Sequence, residues 1–284
     1  MVSMNPRFVF SAIVATAAAA TLTACASSSP APHTSPAAGK GTSANSTSAS
    51  SAPTTSAAAA PAGDQATSLA TSLKQTLATV KSFHLTLNVT AAGAKITGTG
   101  DEKLAGGKLA AFQITENIPG GQTVRIVYVD GKIYAKLPRS LSKSSKPYVL
   151  VSPNSTNPML RGIAQSLDSA LQSASAQSAS VFAQAASSVR NLGKTTVGGQ
   201  QVTHYAVVVD PKKLPASLPG RSTLAKVGVT SIPVDMYLDN QNRPVQISSH
   251  TTVLGKSTNS VATISRYDQP VAISAPPAGE VAAR

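Results

Sequence analysis

The stretch VRIVYVDGKIYAKL, residues 124–137, constrains the fold more than any other part of the chain. Two runs of alternating apolar and polar residues flank Asp130-Gly131. Asp-Gly between such runs is the strongest short-range signal for a two-residue hairpin. Strands joined by so short a turn must be antiparallel. The alternation recurs along the chain. Phe83, Leu85, Leu87 and Val89 alternate with His84, Thr86 and Asn88. Further strands are expected over 95–104 and 108–116, with Ala110, Phe112 and Ile114 sharing a face. TTVGGQQVTHYAVVVDP (195–211) turns about Gly198-Gly199. IPVDMYLDNQNRPVQIS (232–248) puts Ile232, Val234, Met236 and Leu238 on one face, turns at Asp239 to Asn242 and returns through Val245 and Ile247. A last pair runs through Val253, turns near Gly255 and returns through SVATISRY. Each of these strands has one dry and one wet face.

A sheet with one dry face needs a cover, and changes of period show where it lies. Leu69, Leu73, Leu77 and Val80 recur at helical spacing, so 65–81 is expected to be an amphipathic helix starting at Asp64 or Thr67. The pattern is helical again from Pro158 to Leu192. Leu160, Ile163, Leu167 and Leu171 mark its first part, and Val181, Phe182, Ala185 and Val189 its last. Between them SASAQSAS (173–180) is small and weakly apolar: a break between two helices, a loosely packed part or a solvent-facing one. Residues 138–157 read as a loop and 211–230 as a loop or short helix. PPAGEVAAR reads as a frayed tail, 276–284. The order is helix, about five strands, a helical stretch, then about five strands. That is an α+β domain over 64–275, an antiparallel sheet of about ten strands with helices on one face.

The chain before this domain has a different character. Met1 to Arg7 carries the amino terminus and one arginine, and Phe8 to Ala20 is apolar or small throughout. A charged start, a short apolar run and a small-residue exit describe an export signal, 1–24. The run is shorter than the roughly 20 residues of a membrane span. It ends at the only cysteine of the chain, Cys25. A lone thiol closes no intrachain disulfide and does not make a four-ligand zinc site. Leu22-Thr23-Ala24-Cys25 resembles a bacterial lipobox, which implies that the Cys25 sulfur is acylated and becomes the first mature residue. Two or more acyl chains anchor a protein stably, since each buried methylene contributes about 0.8 kcal/mol. The expected location is the extracytoplasmic face of the cell membrane. Residues 26–63 hold almost nothing but Ala, Ser, Thr, Pro and Gly, cannot bury enough to order themselves, and are expected to be a disordered tether spanning about 30–35 Å. The Ser/Thr/Pro bias is that of an O-glycosylated stalk.

The net charge of +13 suggests an anionic partner, but export and the scatter of the lysines and arginines argue against nucleic acid. Phospholipid head groups and anionic wall polymers remain, beside plain solubility. Catalytic readings fare badly. There is no G-x-S-x-G and no H-E-x-x-H, and the strand histidines His84, His204 and His250 fall on the polar register, where they read as solvated. LGKTT (192–196) and LGKST (254–258) lack the earlier glycine of a phosphate loop, having Ser188 and His250 there. The eleven acids are scattered, with no identifiable pair. No enzyme activity, cofactor or metal is expected.

Taken together, the lipobox, the Ser/Ala/Pro linker, the helix entering FHLTLNVT, and the order VTHYAVVVDP, IPVDMYLDNQNRPVQI, SRYDQPVAISAPPAGEV resemble the mycobacterial LppX/LprA/LprF/LprG lipoprotein family, related in fold to the LolA and LolB lipoprotein carriers. The resemblance covers about residues 65–280 and rests on fold signatures. It implies a strongly curved half-barrel sheet with helices on its concave face and an apolar cavity for acyl chains. On that reading the lining falls to the aliphatic face of the strands: Leu85, Leu87, Phe112, Ile114, Val207, Val234, Met236 and Ile247, each equally suited to ordinary core packing. The implied partners are the membrane through Cys25, an acyl lipid or glycolipid, and a membrane transporter. The alternative is a non-catalytic envelope lipoprotein that contacts wall polymers or a protein.

Overall fold

Period-two alternation, repeated hairpin after hairpin, produces one open, curved sheet. The computed structural model describes residues 62–282 apart from 92, 141, 143, 156–159, 162–163, 165–177, 217–220 and 254–255. Cys25, the export signal and nearly all of the 26–63 tether lie outside the described residues, as do Ile163, Leu167, Leu171 and most of SASAQSAS.

Helix α1 (Ala62–Thr79) leads into β1 (Ser82–Ala91), β2 (Ala94–Ala105), β3 (Lys108–Ile118), β4 (Gln122–Val129), β5 (Lys132–Lys136) and β6 (Tyr148–Val151). After the connection come α2 (Ser178–Gln184), β7 (Ala186–Val197), β8 (Gln200–Val209), α3 (Arg221–Lys226), β9 (Ile232–Leu238), β10 (Pro244–Val253), β11 (Lys256–Ser265) and β12 (Val281–Ala282). The strand order is β12-β6-β5-β4-β3-β2-β1-β11-β10-β9-β8-β7. Two antiparallel meanders thus meet where β1 pairs with β11. The connection from Val151 to Ala186 joins opposite ends of the sheet, and its described apolar residues pack on the inner face: Leu160 and Ala164 on one half, Ala179, Phe182 and Ala183 on the other.

Helix α1 buries Ala66, Leu69, Ala70, Leu73 and Leu77, the stripe that its spacing foretells. Its first half packs with the β7–β10 core and its end, with Val80, on the β1–β5 core. Thr67 does not cap the helix: its hydroxyl donates to the Gly63 carbonyl at 3.1 Å. The Asp130-Gly131 hairpin closes as expected, both residues having positive φ (52° and 69°). Gly100 shows where β2 and β3 crowd together. A Cβ there would lie 2.2 Å from the Gln113 carbonyl oxygen and 2.9 Å from Ile114 Cα.

Several expectations need correction. The helical stretch ends at Gln184, and Val189 is an inward residue of a strand, β7. The 138–157 loop contains β6, held by pairing with β5 (Tyr134 opposite Leu150). The described part of the tail, 276–282, is not frayed. Val281 and Ala282 form β12, parallel to Tyr148 and Val149, and Lys146 Nζ donates to the Gly279 carbonyl at 2.6 Å. Ala110 does not share the Phe112 face; the β2–β3 register shifts between Lys103 and Leu104, which leaves Ala110 exposed. The 211–230 segment does hold a short helix, α3, with a 3-10 turn at Pro211–Lys213 capped by Asp210.

Candidate functional site

Strand register turns the inner face into rows that run across the sheet. One row reads Val124 (β4), Glu116 (β3), Gly98 (β2), Leu87 (β1), Ala262 (β11), Ile247 (β10), Met236 (β9) and Tyr205 (β8). The next contains Ile126, Ile114, Gly100, Leu85 and Ile264. All of the residues expected to line a cavity point to this face and are buried. They fall into two groups. Leu85, Leu87, Phe112 and Ile114 belong to a core under the end of α1 and Ala164. Val207, Val234, Met236 and Ile247 belong to a second core under the start of α1 and α2. Within SASAQSAS, Ala179 and Ser180 are buried and do not face solvent.

The residue that the sequence reading missed is Glu116. It is 0% exposed, and among the described residues neither carboxylate oxygen has a hydrogen-bond partner. Burial alone pushes its carboxyl up to about 8, because an apolar surrounding disfavours the charged form. The signal was present in the sequence. Glu116 follows Phe112 and Ile114 at the same period-two spacing and precedes Ile118, so the alternation already places an acid on the dry face. Ser260 Oγ, also on the inner face of the sheet, is likewise buried without a partner among the described residues.

The opposite face carries the histidines. They sit on the polar register as expected, but they are engaged. His84 Nδ1 and Asp101 Oδ1 are 2.8 Å apart, and His84 Nε2 lies 3.0 Å from Thr99 Oγ1. Gln113 Nε2 donates to Asp101 Oδ2 (3.1 Å), and an Arg125 guanidinium nitrogen donates to Gln113 Oε1 (2.9 Å). Partial burial of Asp101 opposes its charged form. Hydrogen bonds from His84 and Gln113, with the charges of His84 and Arg266, outweigh that and hold its carboxyl below the usual range. In the other meander His204 Nε2 lies 2.7 Å from Asp235 Oδ1 and the ring stacks on Tyr237 at 4.4 Å. These are ladders between neighbouring strands. Among the described residues no three His, Cys, Asp or Glu side chains are grouped to hold a metal ion.

A cleft of about 590 Å³ opens beside the start of α1, lined by Asp64, Gln65, Ser68, Ser72, Asn191 and Asn242 with Leu69 and Tyr205.

No protein-family model and no curated protein sequence matches the chain. Solved structures do. The chain is similar to the lipoprotein LppX of Mycobacterium tuberculosis, with 16% identity over 73% of this chain and 99% of that one and a TM-score of 0.46. It is similar to LprF of Mycobacterium bovis, with 10% identity over 76% of this chain and 98% of that one and a TM-score of 0.48. Both names are those of the family that the sequence resembles, and at these identities the likeness concerns the fold.

Proposed function

We propose that the chain is an extracytoplasmic lipoprotein, anchored through acylated Cys25 and tethered by residues 26–63, that binds acyl lipids on its inner face and carries them within the cell envelope without catalysing a reaction. The observation that supports this is the inward face itself, a largely apolar surface drawn from both meanders, interrupted by Glu116 and Ser260 and lying under helices. Exposing a chain of about 15 methylenes to water costs about 12 kcal/mol. A dry face removes most of that cost, so a carrier needs no bond chemistry. Leu85, Leu87, Phe112, Ile114, Val207, Val234, Met236 and Ile247 form the lining in this reading. The partners are the membrane, an acyl lipid or glycolipid, and a membrane transporter that supplies or receives it.

The test is solvent extraction and mass spectrometry of the full chain purified from its native host. Acyl lipid at near one molecule per chain is expected. A lipid-free protein that instead binds wall polymer in a salt-sensitive way would replace this reading with that of an envelope interaction module.

A further inference from the structure

An apolar carrier has no use for a buried acid, yet Glu116 stands in the middle of its dry face. A buried polar group without a partner is a costly fault in a core, and leucine at this position would remove it. Its neighbours explain how it fits. Gly98 lies opposite on β2. A Cβ on that glycine would sit 3.3 Å from Glu116 Cγ and 3.6 Å from both Ile114 Cδ1 and Leu87 Cβ. The acid's stem therefore lies against a strand bared of side chain. Beyond Leu87 the row continues with Ala262, another small residue. Small residues flank Leu87, and the polar groups beside them among the described residues are the Glu116 carboxyl and the Ser260 hydroxyl.

We infer that Glu116 is the polar anchor of the lipid site, hydrogen-bonding a hydroxyl or ester carbonyl embedded in the apolar body of a neutral lipid. This rests on the acyl-binding reading above. A protonated carboxyl has one O–H donor and spare acceptor capacity, so it can meet either oxygen group. At neutral pH burial keeps the proton on. A charged head group does not fit, because Val124, Leu87 and Ile114 around it offer no counter-charge and would leave an ion desolvated. Ser260 Oγ, on the same face opposite Val89 and unpartnered among the described residues, suits a second ligand oxygen.

The test compares dodecanol, methyl dodecanoate and dodecane as competitors for N-phenylnaphthylamine bound to the full chain. Wild type is expected to take the two oxygenated ligands about tenfold more tightly than dodecane, one hydrogen bond in a dry site. Glu116→Leu is expected to lose that preference while still binding dodecane. Glu116→Gln, which keeps a donor and an acceptor, is expected to retain most of it. In wild type at pH 7 the infrared band of the neutral carboxyl, identified by its absence in Glu116→Gln, should shift on addition of dodecanol. An unmoved band overturns the inference even if Glu116→Leu fails to fold. So does an equal affinity of wild type for all three ligands, or a preference that survives in Glu116→Leu, and both leave acyl binding intact. Failure to bind the dye and all three ligands overturns the acyl-binding reading, and the inference with it.

Discussion

The two meanders are built from the same hairpins, yet their inner faces are finished differently. In the β7–β10 half, Val209, Ile232, Met236 and Leu238 are essentially inaccessible, and α1, α2, Leu214 and Leu224 close over them. The described core of that half is hydrocarbon apart from the hydroxyls of Ser180 and Ser249. In the β1–β5 half the described cover is the end of α1 with Leu160 and Ala164. The face there carries glycines at 98 and 100 and the unpartnered Glu116. The lesson is a division of labour. One half is closed over by helices, while the other keeps small residues and an unmet polar atom, which serve stability poorly and, in the reading proposed above, a ligand well.

The largest expected effect is the pH dependence of the Glu116 half. Its carboxyl goes from an ordinary 4.5 up to about 8 in the fold. Between those values the folded state holds a proton that the unfolded chain has lost. Stability is therefore full below 4.5 and falls as pH rises through 8, by about 1.4 kcal/mol per unit and about 5 kcal/mol in all. Urea denaturation from pH 4.5 to 9 should show the fall in wild type and its absence in Glu116→Gln. A flat wild-type profile would mean that the acid finds a partner, and the contrast between halves would vanish.

Next in size is Met236→Ala in the closed half. Met236 is 0% exposed, and truncating so buried a side chain costs about 3 kcal/mol. Lipid content per folded chain, read by extraction, should fall less than in a lining variant of the other half, because α1 and α2 already close over this end of the lining. Leu87→Ala, between Gly98 and Ala262, should lower lipid content as well as stability. Equal loss of lipid in both variants would mean that the two halves of the lining hold the ligand alike.

Gly100→Ala should cost about 2 kcal/mol. Its new methyl meets main chain, which cannot rotate away, and overpacking of this kind costs about 1–3 kcal/mol. Circular dichroism through a thermal melt is enough to read it. An unchanged melt would mean that β2 and β3 can part, and that their close approach there does not depend on the glycine.

Much of this was legible in the sequence, and the failures share a cause. Hairpins carry their own evidence, because the partner of each strand is its neighbour. Hence Ile232, Val234, Met236 and Leu238 were placed on one face, and all are buried. β6 and β12 are short and pair with each other from distant parts of the chain, so neither leaves a local signal. The first part of β7 reads as helix because only Ala185 separates it from α2, and Val189 sits at helical spacing from Phe182 and Ala185. Most inward residues followed from alternation, but Ala110 did not, because the β2–β3 register shifts beside it. Glu116 was hidden by its chemistry: period-two spacing put it inside, and acids are ordinarily outside.

The smallest effect compares the outer faces, where each half joins a histidine to an aspartate on the neighbouring strand. Asp235 meets His204 alone among the described groups within bonding distance, whereas Asp101 takes His84, Gln113 and, at 3.5 Å, Arg266. Asp101→Asn should cost about 1 kcal/mol at pH 7 and Asp235→Asn a few tenths, since water screens partly exposed pairs. The pH signs are opposed to that of Glu116. Because the Asp101 carboxyl is held below its ordinary value, its contribution is present above the ordinary carboxylate range and is lost as pH falls through the lowered value. Urea midpoints at pH 7 and pH 3 should therefore converge between wild type and Asp101→Asn at the lower pH. Equal costs for the two aspartates at pH 7 would show that the outer ladders do not distinguish the meanders, leaving the inner face as the whole of their difference.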